Sequence, residues 1–413
     1  MPNSQHLLNE HGELTRRYFL GLSAAAVAGL GIGEAGAAPA PRQQEALTRL
    51  EYLTHSEDFR NFGRGNPPPH TLPADKRREV GMDRETWQLE VVPDPETDAK
   101  VDSPLSRERG TALTWNDLMA LAREHAVCYL HVMTCLNVAD PCGMGLWEGV
   151  PLRVVVWKAR PVGNIRRVFY HGYHNDDPKQ LFQSSLPFGR VLEDPPGEPP
   201  VILCYKLNGQ WLSPERGGPV RMLVPDAYGF KSVKWLNRVV LSNLFHANDT
   251  YAGGNNDIDT WLKTFARFLS YPKTARAGQP LPVTGLAQVG IAGLSAVQAW
   301  LHPAGAPLPA DDPYLTKGDW KPAELLGPPA QWGGGLPEGK LPLGFDPKTG
   351  KPKEWPMRFA LAHWAALLPG VPAGTYALRC RTIDVAGHAQ PMPRPFPKSG
   401  QNPVHRVQVQ IEG

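Results

Sequence analysis

At 413 residues the chain has room for two domains with cores of their own. Its composition, 41% hydrophobic and 20% charged with a formal net charge of +3, is that of a soluble globular protein. So small a charge, with no basic cluster interleaved with aromatics, argues against a nucleic-acid partner. The 41 glycines and 44 prolines favour loops and turns over long helices. The five cysteines form no Cys-x-x-Cys pair, so one thiol at least has no intramolecular partner. No Cys-x-x-Cys-His run is present, which argues against covalent c-type haem.

The N-terminus reads as an address. Arg16-Arg17 followed by Phe19-Leu20, an Ala/Gly-rich apolar run to Ile32 and the small-x-small site Ala35-Gly36-Ala37 make a twin-arginine signal over residues 1–37. The run is too short to span a bilayer, so no membrane insertion is expected after processing. Gly31-Ile32-Gly33-Glu34-Ala35-Gly36 matches the dinucleotide fingerprint but has no strand before it and carries no weight. Residues 38–50 read as a processed end and a short helix.

In the stretch Asp58 to Pro68, glycine and proline hold Arg64 on a fixed loop. That suits oxyanion binding through its planar donor fork, against the reading of a solvated arginine. Residues 86–92 alternate as a strand, and Thr114 with Asp117 opens a capped helix. The apolar run 126–134 predicts a buried strand that presents Cys135 at the lip of a loop, either as a ligand or as an inert core thiol. Residues 147–157, with Val154-Val155-Val156, read as extended, as does the run 167–171. His171 and His174 read as a polar turn rather than a metal site. Residues 200–207 form a strand ending in the Asn208-Gly209 turn. Arg216, Arg221, Lys231 and Lys234 then flank short strands and glycine turns; they suit a phosphate-bearing cofactor as well as an ordinary solvated sheet edge. Tyr251 sits on a polar glycine-rich loop as a proton donor, a hydrogen-bonding wall or a half-buried aromatic. A helix is expected after it, capped near Asp257 with Trp261, Leu262, Phe265 and Leu269 inward.

Taken together, Phe62-Gly63-Arg64, Cys135, Cys204-Tyr205-Lys206-Leu207-Asn208-Gly209, Gly218-Pro219-Val220-Arg221, Val233-Lys234-Trp235-Leu236 and Asn248-Asp249-Thr250-Tyr251 resemble the sulfite oxidase family of mononuclear molybdenum enzymes across some 200 residues. The resemblance implies a molybdenum–molybdopterin cofactor with Cys135 as the protein thiolate on the metal. It implies Arg216, Arg221, Ser232 and Lys234 at the phosphate end of the pterin, with Asp176 or His174 at another pterin contact. Arg64 and Tyr251 would form the polar wall of the substrate pocket, Arg64 also touching the cofactor. One departure stands out: an arginine that lines the sulfite pocket of eukaryotic members falls at Asp140 here.

The implied fold is an α+β molybdopterin-binding catalytic domain over residues 45–278, followed by an immunoglobulin-like β-sandwich dimerisation domain over 280–413. The sequence supports the second part with alternating runs at 288–291, 296–301, 376–384 and 407–411. Residues 302–356 read as a Pro/Gly-rich insertion on the surface. The implied activity is a periplasmic oxidoreductase acting on sulfite or a related sulfur anion, a homodimer passing electrons to a c-type cytochrome, with no haem of its own. A sulfoxide reductase on the same cofactor, and a cofactor-free binding protein on the same scaffold, are the alternatives.

Overall fold

The computed structural model describes residues 8–15, 50, 52–63, 65–138, 140–195, 197–253, 257–259, 261–329, 332, 341–390, 400 and 402–413. The arginine pair, the apolar run, the residues 38–49 and Arg64 lie outside them. Among the described residues no helix is long and apolar enough to cross a membrane.

Three sheets carry the described residues. The first runs in the order Leu113–Thr114, Gln88–Pro93, Leu236–Ser242, Arg167–Gly172, Gln183–Pro187. Its one parallel pair sets Val91 opposite Val239. The second runs Val127–Thr134, Pro141–Pro151, Ile202–Leu207, Gln210–Trp211, and Arg221–Leu223 pairs with Ile202–Leu207 so that Arg221 lies opposite Cys204. The helix Trp115–His125 leads into the second sheet and is opened by the expected capping box between Thr114 and Asp117. The Asn208-Gly209 turn is also as read: both residues have positive φ, 50° and 76°.

The third sheet takes eight strands, from Phe265–Ser270 at one edge to Thr274–Arg276 at the other. Its strand Lys321–Leu325 changes partners midway. Lys321 to Ala323 pair with Ala296–Pro303, while Glu324 and Leu325 pair with Leu361–Leu368. The two halves so joined enclose a core that includes Phe268, Val283, Val297, Leu378 and Val409.

Four expectations need correction. Residues 152–158 are a helix, Leu152–Lys158, in spite of three consecutive valines. Pro151 caps it, and Leu152, Val155 and Val156 fall on one buried face, so packing overrides a β-branched propensity. Among the described residues no helix follows the Tyr251 turn: Phe265–Ser270 is a strand paired with Leu281–Gln288, and Trp261 is 53% exposed. That strand belongs to the C-terminal sheet, so the sheet begins before the boundary set at 278. The excursion 302–356 is more than a surface insertion. It supplies the partner-changing strand, and the carbonyl of Trp332 accepts from the amides of Tyr52 (3.3 Å) and Leu53 (3.0 Å). Trp332 and Phe345 are buried in the main core.

Residues 8–15 are helical and lie on the C-terminal sheet. His11 is buried there, its ring nitrogens 2.9 Å from Thr284 Oγ1 and 2.9 Å from His363 Nδ1.

Candidate functional site

Cys135 is the first residue past the strand Val127–Thr134, and that strand end is fixed from two sides. The carbonyl of Thr134 accepts from the amide of Gly229 at 2.7 Å. Its hydroxyl donates to Gln288 of the C-terminal sheet, whose own amide donates to the carbonyl of Lys263 at 2.8 Å. A Cβ at Gly229 would stand 3.0 Å from Met133 Sδ, so a side chain there would require the methionine to shift. Cys135 thereby opens, half-buried, onto a cavity of about 240 Å³. Cys142 lines the same cavity; burial pushes its thiol up to about 12 although the backbone of Cys135 hydrogen-bonds to it. Cys142 is thus a neutral neighbour.

A cationic wall faces that lip. The short 3-10 turn Pro214–Arg216 ends at Gly217, whose φ of +95° suits glycine and whose Cβ would strike Lys234 at 2.7 Å. The chain then passes through Arg221–Leu223 and returns to Ser232 and Lys234, so that Arg216, Arg221, Ser232 and Lys234 all line the cavity. Arg221 donates to the carbonyls of Arg216 (3.0 Å) and Ser232 (2.6 Å). Its buried Nε has no hydrogen-bond partner among the described residues. Lys234 donates to Asn61 Oδ1 (2.6 Å) and to the carbonyl of Glu215 (2.9 Å). Burial first, then the guanidiniums of Arg221 and Arg216, push its ammonium down to about 7; burial also lowers Arg221 to about 10. Two buried arginines and the half-buried Lys234, with an orphaned donor, form a site for a polyanionic group. The donor set fits a pterin phosphate.

A consequence is testable on the anion-free protein. Lys234 loses its proton near pH 7 in the folded chain against 10.5 unfolded, so the unfolded state binds more protons between these values and stability rises with pH across that window. Sulfate, which does not titrate there, restores the proton on binding. Its affinity is expected to fall by up to about tenfold per pH unit above pH 7, with proton uptake seen by calorimetry in buffers of different ionisation enthalpy. Lys234→Met should abolish the slope; a slope that persists in that variant contradicts the assignment.

The remaining wall carries Tyr251, on the 3-10 turn Thr250–Ala252. The turn is held by Asp249, whose carboxylate accepts from Lys231 Nζ at 2.9 Å, Ser184 Oγ at 3.2 Å and the Ser185 amide at 3.0 Å. Gln183 adds a bond from its amide to Thr250 Oγ1 at 2.9 Å. Of the two pterin-contact candidates, His174 lines the cavity, with Nδ1 donating to the carbonyl of Gly172 at 2.9 Å. Asp176 does not; it is exposed, 3.2 Å from Lys76 Nζ, and accepts from the Tyr173 hydroxyl at 3.1 Å. Arg60 was missed by the sequence reading. It lines the cavity, its amide donates to the carbonyl of Cys142 at 2.8 Å, and its guanidinium lies 4.9 Å over the ring of Phe62. The signal was a second arginine four residues ahead of Arg64 in the same Gly/Pro-bounded stretch.

Residues 78–249 match the family model of the oxidoreductase molybdopterin binding domain. The chain is 28% identical over 261 residues to the sulfite oxidase of Gallus gallus, covering 59% of this chain and 50% of that protein. It is 35% identical over 98 residues to an NADPH nitrate reductase of Pichia angusta, covering 24% of this chain and 11% of that protein. These matches support the sulfite oxidase family of molybdopterin oxidoreductases, the family model itself covering residues 78–249. The chain spans between a tenth and a half of the length of these two relatives. A solved structure of the sulfane dehydrogenase SoxCD from Paracoccus pantotrophus superposes with a TM-score of 0.56 at 16% identity, over 94% of this chain and 96% of that one, which is a likeness of fold.

Within this sulfite oxidase-family frame the odd residue is Asp140. Its carboxylate accepts from Arg267 Nε at 3.0 Å. It faces the C-terminal sheet, and it is not among the residues that line the cavity. The departure at this position therefore puts an interdomain ion pair where repulsion of an anionic substrate was in question.

Proposed function

We propose that the chain is a molybdopterin-dependent oxidoreductase that transfers oxygen to a small sulfur anion. The observation that carries this reading is the convergence, on one cavity, of the half-buried Cys135 with the buried Arg216 and Arg221 and the half-buried Lys234. Molybdenum–molybdopterin, when bound, supplies oxygen-atom transfer and a store for two electrons. Cys135 would be its protein thiolate, a soft anionic sulfur suited to that metal. Arg216, Arg221, Ser232 and Lys234 would grip its phosphate, and His174 would contact the pterin. Tyr251, held by the Asp249 turn, would hydrogen-bond the substrate or product oxygen, and Arg64, which lies outside the described residues, would bind the anionic substrate. In this proposal the protein is exported by the twin-arginine route to the periplasm and pairs through its C-terminal immunoglobulin-like half. It gives its electrons one at a time to a c-type cytochrome.

The test is molybdenum and pterin content per chain from cofactor-competent cells, then sulfite-dependent reduction of ferricyanide and of cytochrome c. Near-stoichiometric molybdenum with sulfite turnover is the expected result. Reduction of sulfoxides without sulfite oxidation would reverse the direction of the reaction, and a folded protein without molybdenum or pterin would overturn the reading.

A further inference from the structure

The substrate end of the cavity is built for more than a bare inorganic anion. Tyr251 is packed edge-on by Phe182 (centroids 5.3 Å apart, 77° between planes) and by Phe230 (5.6 Å, 74°), and all three rings line the cavity. Phe62, 39% exposed, lines it as well under the guanidinium of Arg60. The Arg60 amide donates to the carbonyl of Cys142, its charge works against the burial that raises the Cys142 thiol, and that thiol bonds to the backbone of Cys135, so this exposed cation lies at the mouth on the cysteine side of the cavity. Arg216, Arg221 and Lys234 belong to the phosphate end.

We propose that the substrate is an organic sulfinate, R–SO2⁻, with its charged head on Arg60 and its apolar R group on the rings of Phe62, Phe182, Phe230 and Tyr251. The proposal rests on the oxidoreductase reading above and names its substrate class. Inorganic oxyanions have no apolar surface to bury, and aromatic faces return none of the hydrogen bonds lost when such an ion leaves water. A neutral thioether would leave the guanidinium without a counter-charge. A sulfinate meets both walls, and its sulfur keeps the lone pair that forms the new S–O bond. The balance is R–SO2⁻ + H2O → R–SO3⁻ + 2 H⁺ + 2 e⁻. Water supplies the oxygen and both protons, and the electrons go singly to an external one-electron acceptor.

The experiment uses the molybdenum-loaded protein with ferricyanide as acceptor and compares benzenesulfinate, methanesulfinate and sulfite, with the sulfonate product measured by chromatography. Benzenesulfinate should exceed methanesulfinate in kcat/KM by about tenfold or more, the discrimination expected of a well-filled apolar pocket. Phe62→Ala at the mouth and Phe230→Leu, which keeps apolar bulk, should each compress that ratio by about fivefold or more. Binding of the product benzenesulfonate, followed by quenching of tryptophan fluorescence, should weaken in the same variants. Sulfite turnover with no sulfinate turnover, or equal kcat/KM for the two sulfinates, overturns this proposal and leaves the oxidoreductase reading standing. Loaded protein that oxidises none of the three overturns that reading itself.

Discussion

Cys135→Ser is expected to leave the fold and thermal midpoint unchanged and to reduce sulfite- or sulfinate-dependent turnover by more than about a hundredfold. Cys135 is half-buried at the end of a strand whose neighbours, Thr134 and Gly229, are held by hydrogen bonds that do not involve its thiol. The lesion should therefore be one of coordination, because a serine hydroxyl is a harder and far less acidic donor than a thiol. Pterin should be retained in large part, since Arg216, Arg221 and Lys234 are untouched, while the metal's absorption spectrum changes or disappears. Metal content, spectrum and turnover equal to wild type would remove Cys135 from the site.

The second large effect is structural. Lys231 and Asp249 form an ion pair with side chains 3% and 1% exposed. Lys231 also donates to the carbonyl of Ser185 at 2.7 Å, and Asp249 takes the bonds that fasten the Tyr251 turn to the strand Gln183–Pro187. Asp249→Asn leaves the lysine charge buried and unpaired, at a cost of about 3–5 kcal/mol in urea unfolding. Lys231→Met combined with Asp249→Leu should recover part of that loss, because the uncompensated charge is gone. Faster amide exchange at residues 183–185 and 249–252 should accompany the single substitution. A loss below about 1 kcal/mol would show that the pair is no anchor.

The local rules carried much of this structure. An apolar run broken by Asn137 and Pro141 marked the Cys135 strand, and Thr114 with Asp117 marked its helix. The Asn208-Gly209 turn was equally plain. They failed where distant packing decides. Three valines at 154–156 prefer strands, yet the buried face made with Leu152 turns them into a helix. The spacing of Trp261, Leu262, Phe265 and Leu269 mimics a helix, but Leu281–Gln288 pairs with that segment and draws it out. In the site, the cations Arg216, Arg221 and Lys234 were readable as a cluster near strand ends. Arg60 was not, because its place depends on a hydrogen bond from its amide to the carbonyl of Cys142, 82 positions on. The choice between His174 and Asp176 likewise turns on two residues of loop, one tucked under Trp235 and the other drawn out by Lys76.

The strand Lys321–Leu325 has a bearing on how the protein is assembled. It is stitched into both halves of the C-terminal sheet, and the chain beyond it reaches back to the amino-terminal half through Trp332 and through the amide of Leu343, which donates to the carbonyl of Cys128 at 2.8 Å. Thr134 with Gln288 and Asp140 with Arg267 add further ties beside Cys135. Among the described residues these fastenings stand on either side of the cysteine and brace the two halves against each other. A substitution that cuts one of these ties is therefore expected to loosen the wall of the cavity as well as the seam between the halves.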